Sequence, residues 1–334
     1  MAERDDVRPL RVALLGGSGF VGLNIAEALL RQGHHVLCLD RNPFPAAART
    51  AFATLPGQLR TEIFDVTQPG PLESGTDALV LGAAITAGTA REAADPESIL
   101  AVNLGALPGL LRAARQAGVK RVLNLSSASA YGAGPGETPL AETDPARPAQ
   151  LYGITKLASE QVGARLAALW GLEFLSVRLS AVFGPWEYAT GLRDTLSPPF
   201  QVMRAAAQGA PALLARPGLR DWVYAPDVAE AVALLLQARR PGHALYNITH
   251  PGRWPLLDWG GALARVPRDG FACRLATAGE HPGIDLHGAA DRAPLDPGRM
   301  ESEFGWRARF GAAESAAHYE EWWLAHAAAL META

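Results

Sequence analysis

Short apolar runs and longer amphipathic runs alternate through most of the chain. Arg11 to Leu15 (RVALL) is apolar and closes on glycine, the pattern of a parallel strand buried on both faces. A stretch of helical period follows, to about Gln32. His35 to Leu39 predicts a second strand ending at Asp40, and Leu59 to Phe64 a third ending at Asp65-Val66. Asp77 to Leu81 predicts a fourth, running into Gly82-Ala83-Ala84; Arg121 to Leu125 a fifth; Glu173 to Arg178 a sixth. One helix is predicted from Asp95-Pro96, where an acid precedes proline, to Gly118, with a kink at Pro108-Gly109. Another is predicted over Leu157 to Trp170, with Leu151 to Lys156 as its opening. Beyond Ala244 the pattern gives one strand, short helices and loops. An alanine-rich helix from about Ala312 follows, with Trp322 and Trp323 as packing anchors. Strands alternating with helices predict an α/β fold built on a doubly wound parallel sheet.

Composition narrows the class. The chain has 334 residues, enough for one large domain or two closely joined ones, and 49% hydrophobic content suits a sizeable core. A net charge of -4 gives no reason to expect a nucleic-acid partner. No apolar run approaches a membrane span, and MAERDDVRPL lacks a signal-peptide core. Cys38 and Cys273 are far apart, and Cys38 reads as a small buried thiol, so no disulfide is expected and the cytoplasm is the expected compartment. No cysteine/histidine cluster has metal-ligand spacing; His34 and His35 are expected exposed in a turn.

Several short patterns carry candidate chemistry. Gly16, Gly19 and Gly22 form a GxxGxxG turn between a strand and a helix. Such a turn, with Phe20 and Val21 opening the helix, can bring backbone N–H groups close to a pyrophosphate. Asp40 lies about 20 residues on, where an acid accepts hydrogen bonds from the adenosine ribose and repels a 2′-phosphate. That favours NAD over NADP, although Arg41 next to it is a residue that can receive such a phosphate. Asp65 either reaches an adenine amino group or caps a turn. Asn103 either bonds backbone of the sheet or is an ordinary polar position. After the fifth strand comes SSASAYG, Ser126 to Gly132, whose hydroxyls can bond a substrate oxygen. Tyr152 and Lys156, within YGITK, are four residues apart and so share one face of a helix. An ammonium beside a phenol favours the phenolate, and a phenol so placed can exchange a proton with an alcohol or carbonyl.

In this order, the glycine loop, Asp40, the small residues after the fourth strand, the hydroxyls after the fifth and YxxxK resemble the extended short-chain dehydrogenase/reductase superfamily. The branch is the NAD-dependent epimerase/dehydratase family, and the resemblance covers nearly the whole chain. It implies a Rossmann-type domain over residues 1–180, continued by part of 220–250, and a mainly substrate-binding region over 181–334. It implies Tyr152 as acid/base, Lys156 as its assistant on the nicotinamide ribose, and Ser127 orienting the reacting oxygen, with Ser129 close by. Gly16, Gly19, Gly22 and Asp40 match cofactor positions, with Asp65 and Val66 near the adenine. A homodimer through the tyrosine-bearing helix is expected.

The substrate side departs from the pattern. Relatives acting on nucleotide sugars commonly offer an asparagine where this chain has Ser180. Arg220 matches an arginine that bonds a substrate phosphate, its alternative being a pair with Asp221 or Asp227. Arg193 either meets an anionic group or pairs with Asp194. Dehydratases carry an acid pair where Ala128 and Ser129 stand here, so a 4,6-dehydratase is not expected. The activity implied is hydride transfer at a secondary alcohol of a sugar or nucleotide sugar. The alternatives are a dehydrogenase of a free sugar or sugar acid that releases NADH, and a non-catalytic dinucleotide sensor.

Overall fold

A computed structural model describes residues 8–132, 136–189, 196–265, 269–288 and 291–331. The first half runs β1 (Arg11–Leu15), α1 (Phe20–Arg31), β2 (His35–Asp40), α2 (Ala46–Phe52), β3 (Gln58–Ile63), β4 (Ala78–Leu81), α3 (Thr89–Ala94) and α4 (Pro96–Leu100). A π-turn at Ala101–Gly105 leads into α5 (Leu107–Ala117), then β5 (Arg121–Ser127), a 3-10 turn at Ala128–Tyr131, α6 (Leu151–Trp170) and β6 (Glu173–Leu179). The rest comprises β7 (Ala181–Phe183), α7 (Pro198–Ala207), β8 (Ala212–Leu214), β9 (Leu219–Arg220), β10 (Trp222–Tyr224), α8 (Ala225–Gln237) and β11 (Leu245–Ile248). It closes with β12 (Trp254–Pro255), α9 (Leu256–Leu263), β13 (Cys273–Leu275), α10 (Gly298–Phe304) and α11 (Ala312–Met331).

The central sheet has seven strands in the order β11-β6-β5-β4-β1-β2-β3. All its pairings are parallel. Both faces are covered, and β1 shows why its residues read as one apolar run. Val12 and Leu14 enter one core cluster while Ala13 and Leu15 enter the other. The strand order reverses between β1 and β4, which opens a crevice above their carboxyl ends. β11 returns from the second half of the chain to pair with β6. Trp322 and Trp323 pack as expected, Trp322 against Trp186 and Trp323 against Phe200.

Three expectations are corrected, and α2 is an element the pattern did not show. The helix from Pro96 does not kink at Pro108-Gly109; it opens one turn earlier, with Ala106 N bonding Ala101 O at 2.9 Å. Proline clashes with the carbonyl four residues back, so the wide turn comes before Pro108, which then sits in the first turn of α5. His34 is buried, its Nδ1 accepting from Leu10 N at 3.2 Å, and burial lowers its pKa. α2 follows Pro45 in a segment too short for its period to stand out. The region after Ala244 holds β12 and β13 besides the expected strand, each in a small two-stranded pairing. Among the described residues, no group of histidines, cysteines or acids could hold a metal ion, and no helix is long and apolar enough to cross a membrane. Cys38 and Cys273 are unpaired.

Candidate active site

A cavity of about 660 Å³ occupies the crevice. Its lining includes Gly16, Gly19, Phe20, Val21, Asp40, Arg41, Asp65 and Val66 from the cofactor expectation. Ser127, Ser129, Tyr152, Lys156 and Arg220 line the same cavity. Arg193 lies outside the described residues.

The glycine loop is shaped by close approach. Gly16 has φ +78°, and a β-carbon there would lie 2.7 Å from Ala83 N. A β-carbon on Gly22 would lie 2.1 Å from Gly16 O, so only glycine lets α1 start directly over the turn. Gly19 differs: its β-carbon would meet only Gly16 O, at 3.3 Å, leaving that side of the loop open. The first helical bond runs from Leu23 N to Gly19 O, so the N–H groups of Phe20, Val21 and Gly22 precede the helical ladder. This is a cradle for an anionic group at a helix N-terminus.

Asp40 ends β2 with 9% exposure. Its Oδ2 accepts from Ser18 N at 3.1 Å and its Oδ1 from Asn42 N at 2.9 Å. Burial raises its pKa, and those two N–H groups and Arg41 pull the other way. Asp65 does cap a turn, accepting from Thr67 N at 2.9 Å and Thr67 Oγ1 at 2.7 Å, which holds its carboxyl below the usual range.

The candidate catalytic groups come from two neighbouring elements. Ser127 is the last residue of β5, and its Oγ accepts from Ser129 N at 3.1 Å. Tyr152 and Lys156 lie in the first turns of α6, with Lys156 Nζ 5.8 Å from the Tyr152 ring centroid. Lys156 is buried, and its Nζ donates to Leu125 O at 2.7 Å. An ammonium has three donors, so this bond anchors it and leaves further ones for a ligand. Asn103 bonds backbone, but that of the segment after β4 rather than of the sheet. Its Oδ1 accepts from Ile85 N at 2.8 Å and its Nδ2 donates to Ile85 O at 3.0 Å. That Nδ2 also lies 3.2 Å from Thr155 Oγ1, so the segment after β4 is tied to α6 beside Tyr152.

The far wall contains groups that sequence reasoning missed. Arg220 pairs with neither Asp221 nor Asp227; it donates to Leu286 O and, at 3.1 Å, to His287 O, with Asp291 3.7 Å away. Burial lowers its pKa. Asp221 is matched instead with Arg292, at 2.9 Å, and Asp227 accepts from the backbone of Arg309 and Phe310. Arg292 also donates to Ser180 Oγ at 2.8 Å, so Ser180 lines the cavity with its hydroxyl already bonded to protein. Arg292, His287, Glu187 and Tyr188 line the cavity but lie in loops with no spacing motif.

The family described as NAD dependent epimerase/dehydratase matches residues 12–249, and the chain belongs to it. It is thus an NAD-dependent enzyme of the extended short-chain dehydrogenase/reductase type. A dTDP-6-deoxy-L-talose 4-dehydrogenase (NAD(P)(+)) of Kitasatospora kifunensis is 31% identical over 72% of this chain and 74% of its own. A UDP-glucose 4-epimerase of Streptomyces lividans is 30% identical over 70% and 74%. The solved structure of MoeE5 in complex with UDP-glucuronic acid and NAD aligns with TM-score 0.73 and 27% identity, covering 93% of this chain and 98% of that one.

Proposed function

We propose that this enzyme moves a hydride at a secondary alcohol of a sugar or nucleotide sugar, with Tyr152 as the acid/base. The observation that carries the reading is that Ser127, Tyr152 and Lys156 line one cavity with the glycine cradle and Asp40. The residues fit NAD: Gly16, Gly19 and the first turn of α1 hold the pyrophosphate, Asp40 the adenosine ribose, and Asp65 and Val66 flank the adenine. When bound, NAD supplies the hydride acceptor. Tyr152 takes the hydroxyl proton at its phenolic oxygen, and Ser127 holds the substrate oxygen by hydrogen bond. Lys156, anchored on Leu125 O, presents its remaining donors to the nicotinamide ribose and its charge to the phenol. Ser129 and Arg220 contact the substrate. Ala128 and Ser129 offer no carboxylate for a 4,6-elimination, so the product is an epimer, or a ketone or lactone. The relative named as a dTDP-6-deoxy-L-talose 4-dehydrogenase supports net dehydrogenation with release of the reduced cofactor, though on a nucleotide sugar rather than the free sugar or sugar acid of the alternative.

Residues 1–180 with part of 220–250 form the cofactor unit in this reading, and 181–334 mainly the substrate region; β11 in the central sheet supports the return. Exposed Ile154, Val162 and Leu169 on α6 support a homodimer through that helix. The unpaired cysteines fit the cytoplasm.

The test is an assay of the purified protein across sugars, sugar acids and nucleotide sugars, following both epimer formation and released NADH. Tyr152→Phe should abolish turnover of the best substrate and retain NAD binding. Full activity in that variant would refute the assignment.

A further inference from the structure

Tyr188 belongs to the segment after β7, yet it reaches the glycine loop. Its hydroxyl donates to Ser18 O at 2.6 Å. The same residue, Ser18, gives its N–H to Asp40 Oδ2 at 3.1 Å and its hydroxyl to Asn42 O at 3.2 Å. Ser18 is therefore held at its amide, its carbonyl and its side chain, and it is 3% exposed. Asp40, Asn42 and Tyr188 all line the cavity. The clasp closes the corner where, on the proposed reading, the adenosine ribose rests.

We propose that Tyr188 is a cofactor-specificity residue: by clamping Ser18 opposite Asp40 it keeps water out of the ribose corner, so that rejection of a 2′-phosphate depends on Tyr188 as well as on Asp40. A carboxylate repels a phosphate weakly through water and far more strongly where water is excluded. Tyr188 suits this role because it stays a neutral donor. Burial, with the Asp40 charge adding to it, pushes its phenol up to about 12. The inference rests on Asp40 being the ribose acid, and the test separates the two.

The probes are NADH and NADPH, titrated by fluorescence against the full chain and its Tyr188→Phe, Asp40→Asn and doubly substituted variants. Tyr188→Phe keeps the ring and removes one hydrogen bond, leaving a buried carbonyl to take up water. The preference for NADH over NADPH should fall roughly 5–10-fold in Tyr188→Phe, the scale of one lost hydrogen bond. In the Asp40→Asn background the same substitution should leave the ratio nearly unchanged, because the charge it reinforces is gone. An unchanged ratio in Tyr188→Phe overturns the proposal, and so does an equal fall in both backgrounds. If Asp40→Asn itself leaves the ratio unchanged, the reading of Asp40 fails first. If only Asp40→Asn shifts it, that reading stands and the role of Tyr188 is refuted.

Discussion

A β-carbon on Gly153 would lie 2.4 Å from the carbonyl oxygen of Ser129, so the first turn of α6 rests directly on the turn after β5. Pro148 closes the same spot from the other side, at 2.9 Å. The residue after Tyr152 thus sets how closely the start of α6 packs on the turn that follows Ser127. Gly153→Ala forces the helix start outward by roughly an ångström. A displacement of that size can cost about 100-fold in rate. Expected is a loss in kcat/KM of about that size, with a smaller loss in NADH binding, because the glycine cradle and Asp40 lie on other elements and only the Lys156 contact to the nicotinamide ribose moves with α6. Steady-state kinetics beside NADH titration would show it; wild-type kcat/KM would mean the contact is not what aligns the pair.

Farther along the same helix, Glu160 accepts from Arg178 Nε at 3.0 Å and Arg178 Nη2 at 2.7 Å, and also from Ser126 Oγ. Both charged side chains are nearly buried, at 9% and 4%. Glu160→Ala leaves the buried arginine without its counter-charge. Breaking such a pair costs about 3–5 kcal/mol, whereas replacing both partners with apolar residues costs far less. Urea unfolding of Glu160→Ala and of Glu160→Leu/Arg178→Met should rank them in that order of damage. A single substitution costing under about 1 kcal/mol would place the pair in solvent-like surroundings.

The glycine cradle yields a third expectation. Gly22→Ala places a methyl 2.1 Å from Gly16 O, a contact with backbone that no rotamer can relieve because the β-carbon is fixed by the main chain. Cofactor binding should weaken by at least tenfold and thermal stability should fall together with it, since α1 must shift off the turn. Isothermal titration with NADH and a melting curve test this. Normal binding in a destabilised variant would separate the cradle from the cofactor site.

What was legible in the sequence follows from range. Gly16, Gly19 and Gly22 act within one turn, and Tyr152 and Lys156 within one helical turn, so their spacing could be read locally, although each pattern took its meaning from the ordered set around it. Asp40 was legible because β1, α1 and β2 form one unit whose length fixes where β2 ends. Tyr188, Arg292 and His287 reach the cavity through tertiary packing; Tyr188 meets Ser18 across 170 positions, and no local pattern encodes that. The burial of His34 was hidden because its partner is the backbone of Leu10, on a neighbouring segment. Asn103 stayed ambiguous for the same reason, its bonds lying on the chain after β4 and on α6. The turn at Ala101–Gly105 was misplaced because proline acts on the turn before it rather than on its own position.

The Asp40 carboxyl supplies a pH dependence whose sign can be worked out. Burial raises its folded pKa above the unfolded value of about 3.9. Between those two values the folded chain holds a proton that the unfolded chain has lost, so ionisation of Asp40 removes stability as pH rises through the window. Asp40→Asn does not titrate. The Asn variant should therefore gain on the parent as pH rises from about 4 through the raised value, and the gap should then stay level to neutrality. Melting temperatures of both proteins without cofactor, compared across that range, test it; a parent that gains on the variant would mean that the backbone N–H groups of Ser18 and Asn42 outweigh burial. The same titration bears on cofactor choice. Protonation removes the charge that repels a 2′-phosphate, so the parent's preference for NADH over NADPH should narrow as pH falls into the window. The phosphate itself loses charge near pH 6, so the part due to Asp40 is the difference between the parent's profile and that of Asp40→Asn. Identical profiles would show that Asp40 is not the group that discriminates.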